Sequence, residues 1–287
     1  IKMQIFGVEL ETVGLTHDEI REAIEEAGGS YIGHFGYHGG PDTDSMRNQN
    51  LVWKSERDGS LSNHTGRGTS SEIISPRLYG KEGQKHLRKV MKKLSQKARR
   101  AGITPVNRSC GTHITLNWKN ARTDRFSEQR ETARTYAIRE AYHYFRNAFQ
   151  ALTSASRHNN HYSRIQEIPV TDGSEEARCE AARNYSCSRG AVNLKIRRGC
   201  VEFRMHNGTL NGEKLINWID LNHCVLKWAM NDNHPNFHRS VREFTPDLMG
   251  LLDMVGAGTV LKNKLLARAA ELNHNPSWVD ITTLVEA

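Results

Sequence analysis

Four short strand-like stretches of this sequence each place an acidic residue or a histidine on the polar side of an otherwise apolar segment. In GVELE, Glu9 and Glu11 alternate with Val8 and Leu10, and side chains two residues apart on a strand share a face. The other three stretches are SEIISP, CGTHITL and CVEFRM. Because each stretch has an apolar side, the chain is expected to form a sheet with one buried face and one polar face.

Helical patterns separate these strands. A capping box at Thr16 and Glu19 opens the first helix, and apolar residues at helical spacing predict a second over roughly 81–101. A long third helix is expected over roughly 127–152. This order is compatible with a parallel doubly wound sheet. The hairpin predicted in AVNLKIRRGCVEFRM and the polar alternation favour antiparallel pairing instead. We therefore predict an α+β fold.

The sequence shows no internal repeat and no linker, so we predict a single domain over residues 3–287. A polar, irregular excursion is expected over about 154–188, and helices are expected over about 212–272.

No apolar run approaches the roughly 20 residues of a membrane helix. The five cysteines have no CxxC spacing, which argues against a disulfide framework or a zinc ribbon. We expect a cytoplasmic protein with no membrane contact.

Basic residues concentrate between Lys81 and Arg100, in a chain whose formal net charge is +8. Leu87, Val90 and Leu94 recur at helical spacing within this run. An amphipathic helix with a solvated basic face explains the pattern, and a nucleic-acid footprint is the alternative.

Taken singly, each polar residue of the four stretches has a structural explanation, such as an exposed strand edge, a strand end or a surface ion pair. Their recurrence on four strands favours one shared cause. Carboxylate oxygens and an imidazole nitrogen suit a divalent ion such as Mg²⁺ or Mn²⁺. The residues with such donor atoms are Glu9, Glu11, Glu72, His113 and Glu202, and Arg204 shares the strand face of Glu202.

The order of these motifs resembles that of the amidoligase family, whose catalytic domain is similar to those of glutamine synthetase and glutamate-cysteine ligase. The resemblance extends from about Gly7 to Trp218. It implies a curved antiparallel sheet of the glutamine synthetase-like type, with helices packed on its outer face. It also implies that Arg204 contacts phosphate and acts with Glu202 in catalysis. The metal ligands it implies are Glu9, Glu11, Glu72, His113 and Glu202.

The activity implied by the resemblance is ATP-dependent ligation of a carboxylate to an amine through an acyl phosphate, with ATP and Mg²⁺ (or Mn²⁺) as cofactors. The partners would be a small-molecule or peptide carboxylate and an amine donor, and the basic charge adds a nucleic-acid-linked substrate to the alternatives. Arg157 and Arg189 lie in or beside the polar excursion and are further candidates for binding ATP or the second substrate. Family members often have His-x-His where this chain has His113 and Thr115.

Two other functions would use the same residues. A metal-dependent phosphodiesterase or nuclease would combine the acidic cluster with a basic surface that holds nucleic acid. An inactive binding protein of the same fold would explain Thr115. The position of Arg204 two residues after Glu202 favours the ligase, because this arginine fits the ligase pattern and has no fixed place in a nuclease.

Overall fold

The computed structural model describes residues 4–41, 51–118, 128–168, 171, 173–184, 189–231 and 241–284. The chain divides into two compact units. Unit 1 comprises Met3–Leu116 and Asn207–Ile216, and unit 2 comprises Asn117–His206 and Asn217–Ala287. Within the described ranges, no helix is both long enough and apolar enough to cross a membrane. The single domain over residues 3–287 stays a prediction.

The described strands and helices alternate along the chain as an α+β fold requires. Strands β1 to β8 are Ile5–Leu15, Ser30–Phe35, Val52–Arg57, Thr69–Ile74, Leu78–Tyr79, Gly111–Asn117, Val192–Lys195 and Cys200–Asn207. Helices α1 to α9 are His17–Glu26, Gly80–Arg100, Glu128–Tyr144, Arg146–Ala151, Ala155–His158, Glu175–Asn184, Gly212–Ala229, Leu248–Met254 and Thr259–Leu272. The predicted α+β class is confirmed.

The sheet of unit 1 has the strand order β2-β3-β4-β1-β6, and β5 also pairs with β1. All of these pairings are antiparallel except β2 with β3, which is parallel. The predicted antiparallel sheet is therefore confirmed with one exception. A parallel pair needs a crossover of a dozen or more residues, and residues 36–51 provide that length.

The core of unit 1 lies between one face of this sheet and helices α1 and α2. Thr16 and Glu19 form the predicted capping box at the start of α1. Val8 and Leu10 of β1 and Leu87 of α2 are almost completely buried. The alternation of β1 therefore leaves Glu9 and Glu11 on the face opposite the core.

In unit 2, β7 and β8 form the predicted antiparallel hairpin, with Val192 opposite Phe203. Gly199 ends the connection at φ 66°, a left-handed conformation that favours glycine. The helix predicted over about 127–152 is interrupted at Phe145, which separates α3 from α4. The predicted irregular excursion contains α5 and α6, so it is more regular than the polar sequence indicated.

Candidate functional site

Three glutamates lie side by side across three neighbouring strands of unit 1. Glu72 of β4 pairs with Glu11 of β1 on one side and with Glu56 of β3 on the other. Directly paired residues of antiparallel strands project from the same face of a sheet. This acidic row, Glu56, Glu72 and Glu11, therefore lies opposite the buried side chains of Leu10 and Ile73.

A histidine on the adjoining strand lies against the acids. In the pairing of β6 with β1, His113 lies opposite Glu9. Its Nδ1 is 3.1 Å from Glu9 Oε2 and 3.7 Å from Glu72 Oε1, and its Nε2 is 3.2 Å from Glu11 Oε1. One donor atom each from Glu11, Glu72 and His113 lies within 4.8 Å of the other two. We call Glu9, Glu11, Glu72 and His113 the unit 1 cluster.

The backbone of β6 helps to fix the position of Glu11. The N–H of Gly111 donates a hydrogen bond to Glu11 Oε2, while Oε1 faces His113. Glu11 is 8% exposed and His113 is 3% exposed. Both side chains are therefore held in place by neighbouring strands and largely removed from water.

The electrostatics of the cluster disfavour a full set of ionised carboxylates. Burial raises the pKa of Glu72 well above its usual range, and the negative charges of Glu9, Glu11 and Asp58 raise this pKa further. A cation placed among these oxygens would offset the repulsion and favour the ionised forms.

The imidazole of His113 has acidic neighbours at both ring nitrogens. In its neutral form an imidazole carries one N–H and one lone pair, so one ring nitrogen could donate to a carboxylate while the other binds a cation. A cation between that lone pair and the facing oxygen would satisfy both groups. Carboxylate and imidazole donors also match the preferences of Mg²⁺ and Mn²⁺. The cluster therefore fits a divalent cation.

The sequence model of a family described as "Putative amidoligase enzyme" matches residues 2–226. The chain belongs to the amidoligase family. The resemblance found in the four motifs is thereby confirmed, and membership supports a ligase role. None of the curated proteins compared with the sequence matches it. Among solved structures, one titled "Crystal structure of novel glutamine synthase homolog" is 12% identical to this chain with a TM-score of 0.42. That alignment covers 98% of this chain and 68% of the other.

The Glu-x-Arg motif of this amidoligase lies on β8 in unit 2. Glu202 is 2% exposed, and its Oε1 accepts a hydrogen bond from Arg204 Nη1 at 3.0 Å. Its Oε2 accepts a hydrogen bond from Asn193 Nδ2 at 2.9 Å and lies 3.2 Å from Lys195 Nζ. The ion pair considered from the sequence is therefore present, but it is mostly buried. Metal binding by Glu202 and phosphate binding by Arg204 stay predictions.

The two other arginines predicted to bind ATP have different surroundings within unit 2. Arg157 is 2% exposed, and its Nη2 donates to the carbonyl oxygen of Arg204 at 2.8 Å. Arg157 thereby supports the backbone of β8. Arg189 is exposed, and its guanidinium lies 5.5 Å from the ring centroid of Tyr162. The role of each arginine in binding ATP stays a prediction.

Lys54 and Glu56 of β3 share the face of the unit 1 cluster but were not singled out from the sequence. Lys54 Nζ lies 2.7 Å from Glu56 Oε1, and the two residues are 8% and 5% exposed. The signal was available in VWKSER, since Trp53 and Ser55 are fully buried on the other face. Pairing of Glu56 with Glu72 is what brings this strand into the acidic row.

Proposed function

We propose that this amidoligase is an ATP-dependent carboxylate–amine ligase that uses Mg²⁺ or Mn²⁺. The observation that carries the proposal is the unit 1 cluster, in which donor atoms of Glu11, Glu72 and His113 lie within 4.8 Å of one another. Amidoligase membership supports the ligase class, and the donor set supports the metal.

Within unit 1, Glu9, Glu11, Glu72 and His113 would hold the metal. A divalent cation at such a site neutralises charge on phosphate oxygens during phosphoryl transfer. The protein contributes donors that are fixed before the cation arrives. Gly111 positions Glu11, and strand pairing positions Glu72 and His113.

Within unit 2, we propose that Glu202 is a further metal ligand and that Arg204 binds phosphate. Arg204 donates from Nη1 to Glu202 and from Nε to the carbonyl oxygen of Tyr162 at 3.4 Å. These two contacts use two of the five N–H donors of a guanidinium. A planar, permanently charged group held in this way suits a transferring phosphoryl group. We also propose that Arg157 and Arg189 assist in binding ATP or the second substrate.

The proposed reaction has two bond exchanges. A carboxylate oxygen of the substrate attacks the γ-phosphorus of ATP, and the bond from that phosphorus to the bridging oxygen breaks, which releases ADP and forms an acyl phosphate. The amine nitrogen then attacks the acyl carbon, inorganic phosphate leaves with its electron pair, and the nitrogen loses a proton. The products are an amide, ADP and phosphate. The proposed substrates are a small-molecule or peptide carboxylate and an amine donor, and the proposed compartment is the cytoplasm.

The proposal is tested by Mg²⁺-dependent ADP release with pools of carboxylates, amino acids and polyamines. Hydroxylamine should intercept the acyl phosphate as a hydroxamate. Glu11→Gln should lower ADP release about 100-fold or more, because it removes a charged donor from the cluster. Glu25→Gln is the matched control, since Glu25 is an exposed acid on α1. Metal-dependent cleavage of DNA or RNA without ADP release would replace the ligase with the phosphodiesterase alternative.

A further inference from the structure

Helix α2 carries the whole net positive charge of the protein. Its 21 residues contain nine lysines or arginines and a single acid, Glu82, a balance of +8. The net charge of the complete chain is also +8. The rest of the chain is therefore neutral in sum, and the excess charge is confined to one helix of unit 1.

Five of these cations form a single line along the solvent face of α2. At 100° per residue they fall within about 80° of the helix circumference, and at 1.5 Å per residue they span about 27 Å. All five residues are exposed. We call them the basic stripe: Lys81, Lys85, Lys89, Lys92 and Arg99.

Acids of neighbouring elements neutralise the cations on either side of the stripe. Lys97 Nζ lies 2.6 Å from Glu22 Oε2 and 2.8 Å from Glu26 Oε1. Lys93 also pairs with Glu26, at 2.9 Å, and Arg88 pairs with Glu213. The acids thus contact the flanks of α2 and leave its outer face positive.

The stripe itself is barely neutralised. Its one ion pair among the described residues joins Lys85 to Glu82 at 4.0 Å, and both side chains are more than half exposed. Such an exposed pair contributes little. Lys89, Lys92 and Arg99 form no ion pair within the part of the chain that the structure describes. A linear polyanion would therefore meet several cations whose charge is not already neutralised.

The residues exposed on α2 favour one class of polyanion, double-stranded nucleic acid, over lipid surfaces and single strands. The apolar residues of α2, including Leu87, Val90 and Leu94, are buried in the unit 1 core, so none is available to enter a lipid bilayer as membrane-surface helices require. The exposed face of α2 has no aromatic residue on which single-stranded bases would stack. Lysines act as point charges towards phosphate, and about 27 Å matches some eight base pairs of one duplex strand.

We propose that the basic stripe binds the phosphate backbone of double-stranded nucleic acid without regard to sequence. This binding site is separate from the proposed ligase chemistry, and its test requires no turnover. The stripe would bind the duplex, and none of its residues belongs to the unit 1 cluster.

The test is fluorescence anisotropy of the full chain with labelled duplexes of about 20 base pairs, one of DNA and one of RNA. We expect a dissociation constant on the order of 1–100 µM near physiological salt. The slope of log K against log salt should be about −3 to −4.5, for some three to five phosphates neutralised. Binding of one duplex or both supports the proposal and shows whether the stripe binds DNA, RNA or both.

A triple variant, Lys85→Gln with Lys89→Gln and Lys92→Gln, should weaken binding at least about tenfold at low salt and reduce the slope by about 2.7. The matched control removes three exposed charges elsewhere, through Arg183→Gln, Lys227→Gln and Lys264→Gln, and should bind as the wild type does. Thermal unfolding of both variants shows that each is folded.

Three results would overturn the proposal. The first is the absence of duplex binding at low salt. The second is an equal loss of binding in the control variant, which would show that total charge alone is responsible. The third is a protein that sediments with phosphatidylserine vesicles but does not bind a duplex. If the triple variant no longer sediments with the vesicles, the stripe would be assigned to a membrane surface instead.

Discussion

Replacement of Glu72 by glutamine should stabilise the metal-free protein and abolish its stabilisation by metal. Carboxylate oxygens of Glu72 and Glu11 lie within 4.8 Å of each other, and Glu9 adds a third negative charge nearby. Two unit charges about 4 Å apart repel by about 4 kcal/mol at an effective dielectric constant near 20. This figure is an upper limit, because the raised pKa of Glu72 lets its carboxyl group relieve part of the repulsion by taking up a proton. We therefore expect Glu72→Gln to raise the free energy of unfolding by about 1–3 kcal/mol.

The assay is thermal unfolding with and without MgCl₂ and a nucleotide. A gain of about 1–3 kcal/mol corresponds to an increase in Tm of roughly 2–6 °C for a chain of this size. A ligand present at about 100 times its Kd stabilises the wild type by about 2.7 kcal/mol, whereas the variant should gain little. The advantage of the variant over the wild type should therefore shrink by about 2.7 kcal/mol when metal and nucleotide are added.

Glu25→Gln is again the control, because it removes an acid from unit 1 at an exposed position of α1. The reasoning is refuted if Glu72→Gln lowers the Tm of the metal-free protein, since the carboxylate would then be a structural partner. It is also refuted if the variant keeps the full metal-dependent increase in Tm, since Glu72 would then not be a ligand.

Three further predictions address unit 2. Arg204→Lys keeps the charge but loses the planar fork of donors, so ADP release should fall about tenfold or more with the Tm nearly unchanged; normal turnover would remove Arg204 from the chemistry. Burial raises the pKa of Glu140 to about 7. Between about pH 4.5 and 7 the folded state therefore keeps a proton that the unfolded state has lost. The free energy of unfolding should fall by up to about 3 kcal/mol as the pH rises through this range. Urea midpoints measured against pH should show this decline, and Glu140→Gln should flatten it; an unchanged slope would contradict the assignment. Asp247→Ala removes acceptors for the N–H groups of Gly250 and Ile281, at 2.8 and 2.7 Å, and should cost about 2–3 kcal/mol; a loss below about 0.5 kcal/mol in chemical denaturation would show that water replaces the cap.

Strands with one apolar face were predictable because their signal is local. GVELE lies within β1, and CVEFRM begins β8 at Cys200. The hairpin turn at Gly199 was predictable for the same reason, since the left-handed backbone there favours glycine. In each case the pattern that predicts the element lies within the element itself.

Elements defined by distant partners were harder to predict. Strand β2 lies in a glycine-rich stretch with no clear alternation, and its parallel partner β3 follows only after residues 36–51. Helix α6 has a weak apolar stripe, yet Nη2 of its buried Arg178 donates a hydrogen bond to Glu140 Oε2 of α3 at 2.9 Å. Polar residues thus form part of the contact between these helices, which a search for apolar periodicity does not detect.

The candidate site shows the same division. Glu9, Glu11, Glu72 and His113 were identified through motifs, and the structure brings these four together in unit 1. Glu56 was not identified, although its strand alternates in the same way. Its importance depends on which strand lies beside β4, and strand order is a property of the whole fold.

The acidic row also has a consequence for how the sheet assembles. If β4 slipped by one residue against β1, Glu72 would turn towards the apolar core and Ile73 would turn towards the polar face. A carboxyl group without a partner in such a core costs several kcal/mol. The glutamates therefore disfavour misaligned strands. A chain in its most stable fold consequently also has its carboxylates in the register that brings them together.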